Sequence, residues 1–231
     1  MGAARRAGRI IGVLIIIQMV GGGIVNFTLE APLFGAPGFL VNAASHSQQL
    51  GLAVLLGLVT EALWVGIAIT AFPVFGRRNQ TMALWFIALA VVVLAVAVAV
   101  AENAAVMSMV SLSEAYTKAS AAEREQIQLF KIVAASARNW AHYMARIFDG
   151  GAIFVFYVAL YRFVLVPRAL AGFGLIAVTL MVTAVAMPLF GHDVVFPMLA
   201  PLGLSQLILA VWLITKGFRG QPSPGVDPSD F

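Results

Sequence analysis

The sequence contains no cysteine among its 231 residues. Disulfide frameworks, thiolate metal sites and cysteine nucleophiles are therefore excluded. Charge is also scarce: Asp, Glu, Lys and Arg make up 10% of the chain, against 61% hydrophobic residues. A soluble domain carries about 25% charged residues, so a water-soluble globular fold is excluded as well. A mean hydropathy of +0.97 agrees. No Lys or Arg occurs between Arg9 and Arg77. There is no Gly-rich phosphate loop, nucleophile elbow or triad spacing, and no obvious internal repeat. The three histidines, His46, His142 and His192, lack the His-x-x-x-His spacing of a strong metal motif.

What remains is a series of long uncharged runs. Residues 10–29 hold no charge, and about 20 apolar residues cross the hydrocarbon. No convincing small-x-small cleavage site follows, so this run is expected to be a retained first helix rather than a signal peptide. Residues 30–47, with Pro32, Gly35, Pro37 and Gly38, read as an outer loop. A second helix is expected over 48–75 and a third over the uncharged run 79–101, emerging near Met107. Residues 121–136, capped by Ser120 with acids in the first turn, read as an amphipathic outer helix leading into the fourth span. The fourth ends at Arg162, the fifth covers 169–190, and the sixth lies around 202–214. The fold class is thus all-α: a polytopic domain of six transmembrane helices over 1–219. The tail, 220–231, is rich in Pro, Gly, Ser and Asp and is expected to be disordered.

A net charge of +4 and a pI near 9.9 raise the question of nucleic acid. The basic residues sit at the ends of apolar runs, however, which is orientation bias and not a binding patch. Nine of them (Arg5, Arg6, Arg9, Arg77, Arg78, Arg162, Arg168, Lys216 and Arg219) fall on one side of the proposed topology. That places both termini in the cytoplasm. The expected location is a bacterial inner membrane, with the lipid bilayer as the certain partner and nucleic acid excluded.

The stretch 137–167 organises the chain. Its second half is apolar enough to span a bilayer, while its first half carries Arg138, His142, Arg146 and Asp149 on one helical face. Ionisable groups at membrane depth are costly, about 2.5–3.5 kcal/mol for Arg or Asp on insertion scales, and face protein or water. Their expected partners are Glu61, near the middle of the second helix and flanked by Thr60 and Trp64, and Glu102, at the end of the third. Arg146 is expected to bond Asp149, Glu102 or both, the first being an i,i+3 pair. Trp64 is expected to wall a pocket. Gly150-Gly151 and the run Gly21-Gly22-Gly23 are expected to permit close helix contact.

Three segments resemble a bacterial multi-pass membrane family called domain of unknown function 4386. They are RRAGRIIGVLIII entering the first helix, YVALYRFVLVPRALAGFG joining the fourth to the fifth, and LILAVWLITKGFR closing the last. The resemblance implies a six-helix membrane domain and no particular activity. Two departures stand out. Helix three, ALWFIALAVVV, has no basic residue, and the start of the last helix carries Ser205-Gln206 where an acid is often found. No functional residue is transferred from the family.

Four readings of function follow. The first is binding of a small or lipid-like ligand in an outward-facing polar pocket formed by Glu61, Trp64, Glu102, Arg138, His142, Arg146 and Asp149. A subunit role in a larger membrane complex stands beside it, since the third helix offers a featureless apolar face. Next comes proton-coupled transport of a small molecule, motivated by Glu61 at mid-membrane. Last is a metal-dependent intramembrane enzyme built on the three histidines, with no shared histidine role as the preferred expectation. The sequence names no cofactor.

Overall fold

The computed structural model describes residues 2–95 and 98–219. Among these residues there is no strand. Helix α1 covers Ala3–Ile24 and continues as a π-helical turn, Val25–Leu29. Two short helices follow, α2 (Ala31–Phe34) and α3 (Phe39–Ser45). Then come α4 (Ser47–Phe75), α5 (Gln80–Ala95), α6 (Val98–Lys118), α7 (Ala121–Arg162), α8 (Arg168–Ala186) and α9 (Ala200–Lys216).

The helices close into a ring. α1 packs on α4 and α9, α4 on α5, α5 on α7, α7 on α8, and α8 on α9. Five helices are long and apolar enough to cross a membrane: Ala3–Leu29, Ser47–Phe75, Ala121–Arg162, Arg168–Phe190 and Phe196–Lys216. The protein is therefore a multi-pass membrane protein. The expected third span falls on α5 and α6. Its apolar part, Gln80–Val91, is shorter than the other five, and residues 96–97 of that run lie outside the described residues, as does the tail, 220–231.

Two ends can be told apart by chemistry. At the basic end, where α4, α7 and α9 stop, an aromatic cluster seals the bundle. The Phe75 ring lies 5.9 Å from Phe86, 6.0 Å from Phe156 and Phe163, and 6.3 Å from Phe218. Such pairs contribute about 0.5–1.5 kcal/mol each beyond their burial. Two of the family-like segments meet here, because Gly12 of α1 lies against Ala210 and Ile214 of α9. The third forms the α7–α8 turn, where Val164 takes a left-handed conformation (φ 52°) that a β-branched residue rarely adopts.

At the other end the loop expected over 30–47 is largely helical. Phe39, Leu40 and Ala43 lie on one face of α3 and bury themselves against Val106, Met109 and Val110 of α6 and Leu50 of α4. Proline and glycine punctuate this segment but leave a run of seven residues free to coil. The Ser113 hydroxyl fastens it, accepting from the Ala44 N–H at 2.8 Å and donating to the Leu40 carbonyl at 2.9 Å. α6 also runs on to Lys118, well past the expected emergence near Met107.

The amphipathic segment and the fourth span form one helix of 42 residues. At 1.5 Å per residue this is about 63 Å long, twice the ~30 Å hydrocarbon thickness. Its start is held by Glu123, whose carboxylate accepts from the Ser120 N–H and hydroxyl at 2.8 and 2.7 Å. Within the bundle α7 approaches α8 closely. A Cβ on Gly174 of α8 would overlap the Tyr157 ring, and one on Gly150 would overlap Val182. Gly151, the other half of the expected pair, meets nothing, and of 21–23 only Gly21 makes a close contact, against Thr60.

Candidate functional site

The polar residues of α7 face α4 and α6, which supply carboxylate partners for them. Two linked chains of charge result. In the first, the Arg138 Nη2 donates to Glu30 Oε2 at 2.5 Å and lies 3.4 Å from Glu102 Oε1. The same Glu102 oxygen is 2.7 Å from His142 Nδ1. Arg138 is buried, and its guanidinium also sits 4.9 Å from the centroid of the Phe34 ring in α2. In the second chain, Arg146 bridges two carboxylates: Nη2 donates to Glu61 Oε1 at 2.9 Å, and Nη1 meets Asp149 Oδ2 at 2.7 Å.

Six of the seven residues picked from sequence therefore meet in one cluster. The pairing is partly different from the expectation. Arg146 takes Asp149 as expected, but its second partner is Glu61, not Glu102. Glu102 is already engaged by Arg138 and His142, which lie about two turns and one turn closer to the start of α7. Trp64 is the exception. It is buried in the apolar core with Ile67, Phe75 and Ile153 and does not line the polar cavity.

The cluster borders a cavity of about 70 Å³ between α1, α4, α6 and α7. Gln18, Asn26, Thr60, Glu61, Asn103 and His142 are among its walls. Glu61 Oε2 and Gln18 Oε1 are buried and have no hydrogen-bond partner among the described residues. Gly22 lines the cavity too, so this part of the glycine run opens space and does not close a helix contact.

Glu30, Gln18 and Asn26 escaped the sequence reading. Glu30 stands in the segment that reads as a loop, although it is the first charge after the uncharged run 10–29, a position that suits an interface partner. The π-helical turn Val25–Leu29 carries Asn26 into the cavity wall and ends at Glu30. Gln49 steadies that turn, donating to the carbonyls of Thr28 and Leu29 at 3.1 and 3.0 Å. π-turns inside helices often mark functional places. This one is held in part by Gln49 from α4, a contact that no local pattern over 25–29 announces.

The three histidines do not gather. His46 bonds the Asn42 carbonyl through Nδ1 at 2.8 Å, His142 is in the cluster, and His192 is exposed in the turn after α8. Among the described residues no group of three or more His, Cys, Asp or Glu is disposed to hold a metal ion.

Long apolar helices enclosing an internal cluster of carboxylates and guanidiniums define an integral membrane protein of the multi-pass type. Residues 10–217 match the family model described as domain of unknown function (DUF4386), and the chain belongs to that family. No curated protein and no solved structure matches it.

Proposed function

We propose that this is a six-span protein of the bacterial inner membrane, both termini cytoplasmic, that binds and releases a proton at the carboxylate cluster together with a small polar solute. One observation carries the reading: four carboxylates (Glu30, Glu61, Glu102 and Asp149) converge on two guanidiniums and one imidazole beside a cavity. With every acid ionised and His142 neutral the cluster carries two negative charges in excess. Uncompensated charge at membrane depth is strongly disfavoured, and taking up protons or a cation removes it. The cavity, about 70 Å³, is far below the roughly 300–1,000 Å³ of pockets for drug-sized ligands. This favours a solute of a few heavy atoms over a lipid-like one, and it moves proton-linked handling ahead of simple ligand binding.

The test is infrared difference spectroscopy of the protein reconstituted in lipid, titrated over about pH 5 to 8, the range in which imidazole changes charge. A carboxylic-acid C=O band that titrates, and that is lost or shifted in Glu61→Gln or Asp149→Asn, is expected. A spectrum with no titrating carboxyl band would remove the proposal.

A second reading, a subunit of a larger membrane assembly, has one observation in its favour. Leu129, Phe130, Ile132 and Val133 of α7 are all more than half exposed, and no element among the described residues covers them. Cross-linking in native membranes through a photoreactive residue at position 132 tests it, with a discrete adduct expected.

A further inference from the structure

A second cavity, of about 190 Å³, lies at the opposite, basic end of the bundle. It is formed by four separate parts of the chain: the first turns of α1 (Ala3, Ala4), the end of α4 with Arg77 and Arg78, the α7–α8 turn (Leu165) and the residues after α9 (Arg219). None of its lining residues is acidic. The geometry points to a binding site for a phosphate group here, that of an anionic phospholipid headgroup.

Four features support this. Three arginines from two distant segments reach one small space, and guanidiniums match phosphate oxygens through paired N–H donors. The backbone positions them. Arg78 Nη1 donates to the Phe163 carbonyl at 2.8 Å and its guanidinium lies 5.9 Å from the Phe163 ring, while the Arg219 N–H donates to the Leu165 carbonyl at 2.9 Å. The start of α1 has neither a capping side chain nor an acid in its first turn, so its unpaired N–H groups and positive dipole end add to the same field. The alanine methyls at 3, 4 and 7 keep this wall low and apolar.

The source of the phosphate follows from position. The cavity sits where the apolar runs of α1, α4 and α9 end, which is headgroup depth for any of the spans. Basic pockets between membrane helices suit anionic headgroups for this reason. Val74 and Leu165 supply an apolar floor on the side of the hydrocarbon, and acyl chains can stay in the bilayer while the headgroup turns in.

The experiment uses the full chain purified in neutral detergent. Phosphatidylglycerol, phosphatidylcholine and inorganic phosphate are each added, and bound molecules are counted by native mass spectrometry. Phosphatidylglycerol is expected to be retained in preference to phosphatidylcholine. Arg77→Gln combined with Arg219→Gln should weaken it about tenfold or more, as removal of two near-surface cations predicts. Arg162→Gln combined with Arg168→Gln removes the same charge from the same end but outside the cavity, and should change binding little. Arg77→Lys with Arg219→Lys should retain part of it. All four side chains are exposed, so folding is not at stake. Displacement of the lipid by inorganic phosphate at equal concentration would support the phosphate site and assign it to free phosphate. Equal loss in the two glutamine pairs, or no preference over phosphatidylcholine, would overturn it.

Discussion

Arg146 of α7 holds Glu61 of α4 across the interior of the bundle, Nη2 to Oε1 at 2.9 Å, with Asp149 on its other side. One guanidinium thus pairs with two carboxylates from two helices and leaves one negative charge uncompensated when both are ionised. Removing a partner from a buried ion pair strands the others, at a cost of about 3–5 kcal/mol. Arg146→Met is expected to cost that much, measured as loss of thermal stability in detergent. Adding Glu61→Gln and Asp149→Asn to it should restore much of the loss, since neither of the two carboxylates that Arg146 held is then left as a lone charge. A triple variant no more stable than the single one would show that the arginine acts through its packing alone.

The two glycines of α7 should separate cleanly. A Cβ on Gly150 would collide with Val182 and press on Met181 Cε, whereas one on Gly151 meets nothing. Overpacking of this kind costs about 1–3 kcal/mol, and alanine in an open helical position gains roughly 0.5–1 kcal/mol over glycine. Gly150→Ala is expected to lower the melting temperature and Gly151→Ala to leave it unchanged or raise it. Equal effects would mean that α7 and α8 can part without cost.

These pairs also show what the sequence made legible. The helical spacing of Arg138, His142, Arg146 and Asp149 was enough to place a polar face on α7, and the energetic cost of lone charges was enough to predict that it would be met. Beyond the i,i+3 pair of Arg146 with Asp149, which acid meets which base is not readable, because it depends on the relative heights of α4, α6 and α7. Glu30 was missed for the same reason: its role arises from a π-helical turn and a folded 30–47 segment that bring it 108 positions along the chain to Arg138. Trp64 misled in the opposite sense. It shares a helical face with Glu61, but it lies three residues farther along α4, about 4.5 Å along the axis, where that face meets the apolar core.

The orientation proposed for the bundle predicts where its ends lie. Reporter fusions after Arg78 and after Lys216 should both report cytoplasm, as the clustering of nine basic residues at that end requires. Either fusion reporting the periplasm would break the six-span arrangement.

The last prediction concerns the fastening of the segment from Glu30 to Ser45. Two devices secure it: the buried Glu30–Arg138 pair, and the Ser113 hydroxyl between the Ala44 N–H and the Leu40 carbonyl. They act at different points, the first at the end of the π-helical turn and the second within α3. Arg138→Gln leaves Glu30 and Glu102 without their shared cation, though His142 still holds Glu102. Ser113→Ala removes both of these hydrogen bonds, each worth about 0.5–1.5 kcal/mol net. Local opening shows as faster amide exchange confined to the affected unit. Arg138→Gln is therefore expected to speed hydrogen–deuterium exchange over Val25–Phe34 most, and Ser113→Ala over Phe39–Ser45, with α8 and α9 unchanged in both. Because both devices clamp one segment between α1 and α4, the double variant should open the whole of it by more than the sum of the single effects. Strictly separate responses that merely add would show instead that α2 and α3 are held independently, and that the cluster can open at Glu30 while α3 stays seated on α6.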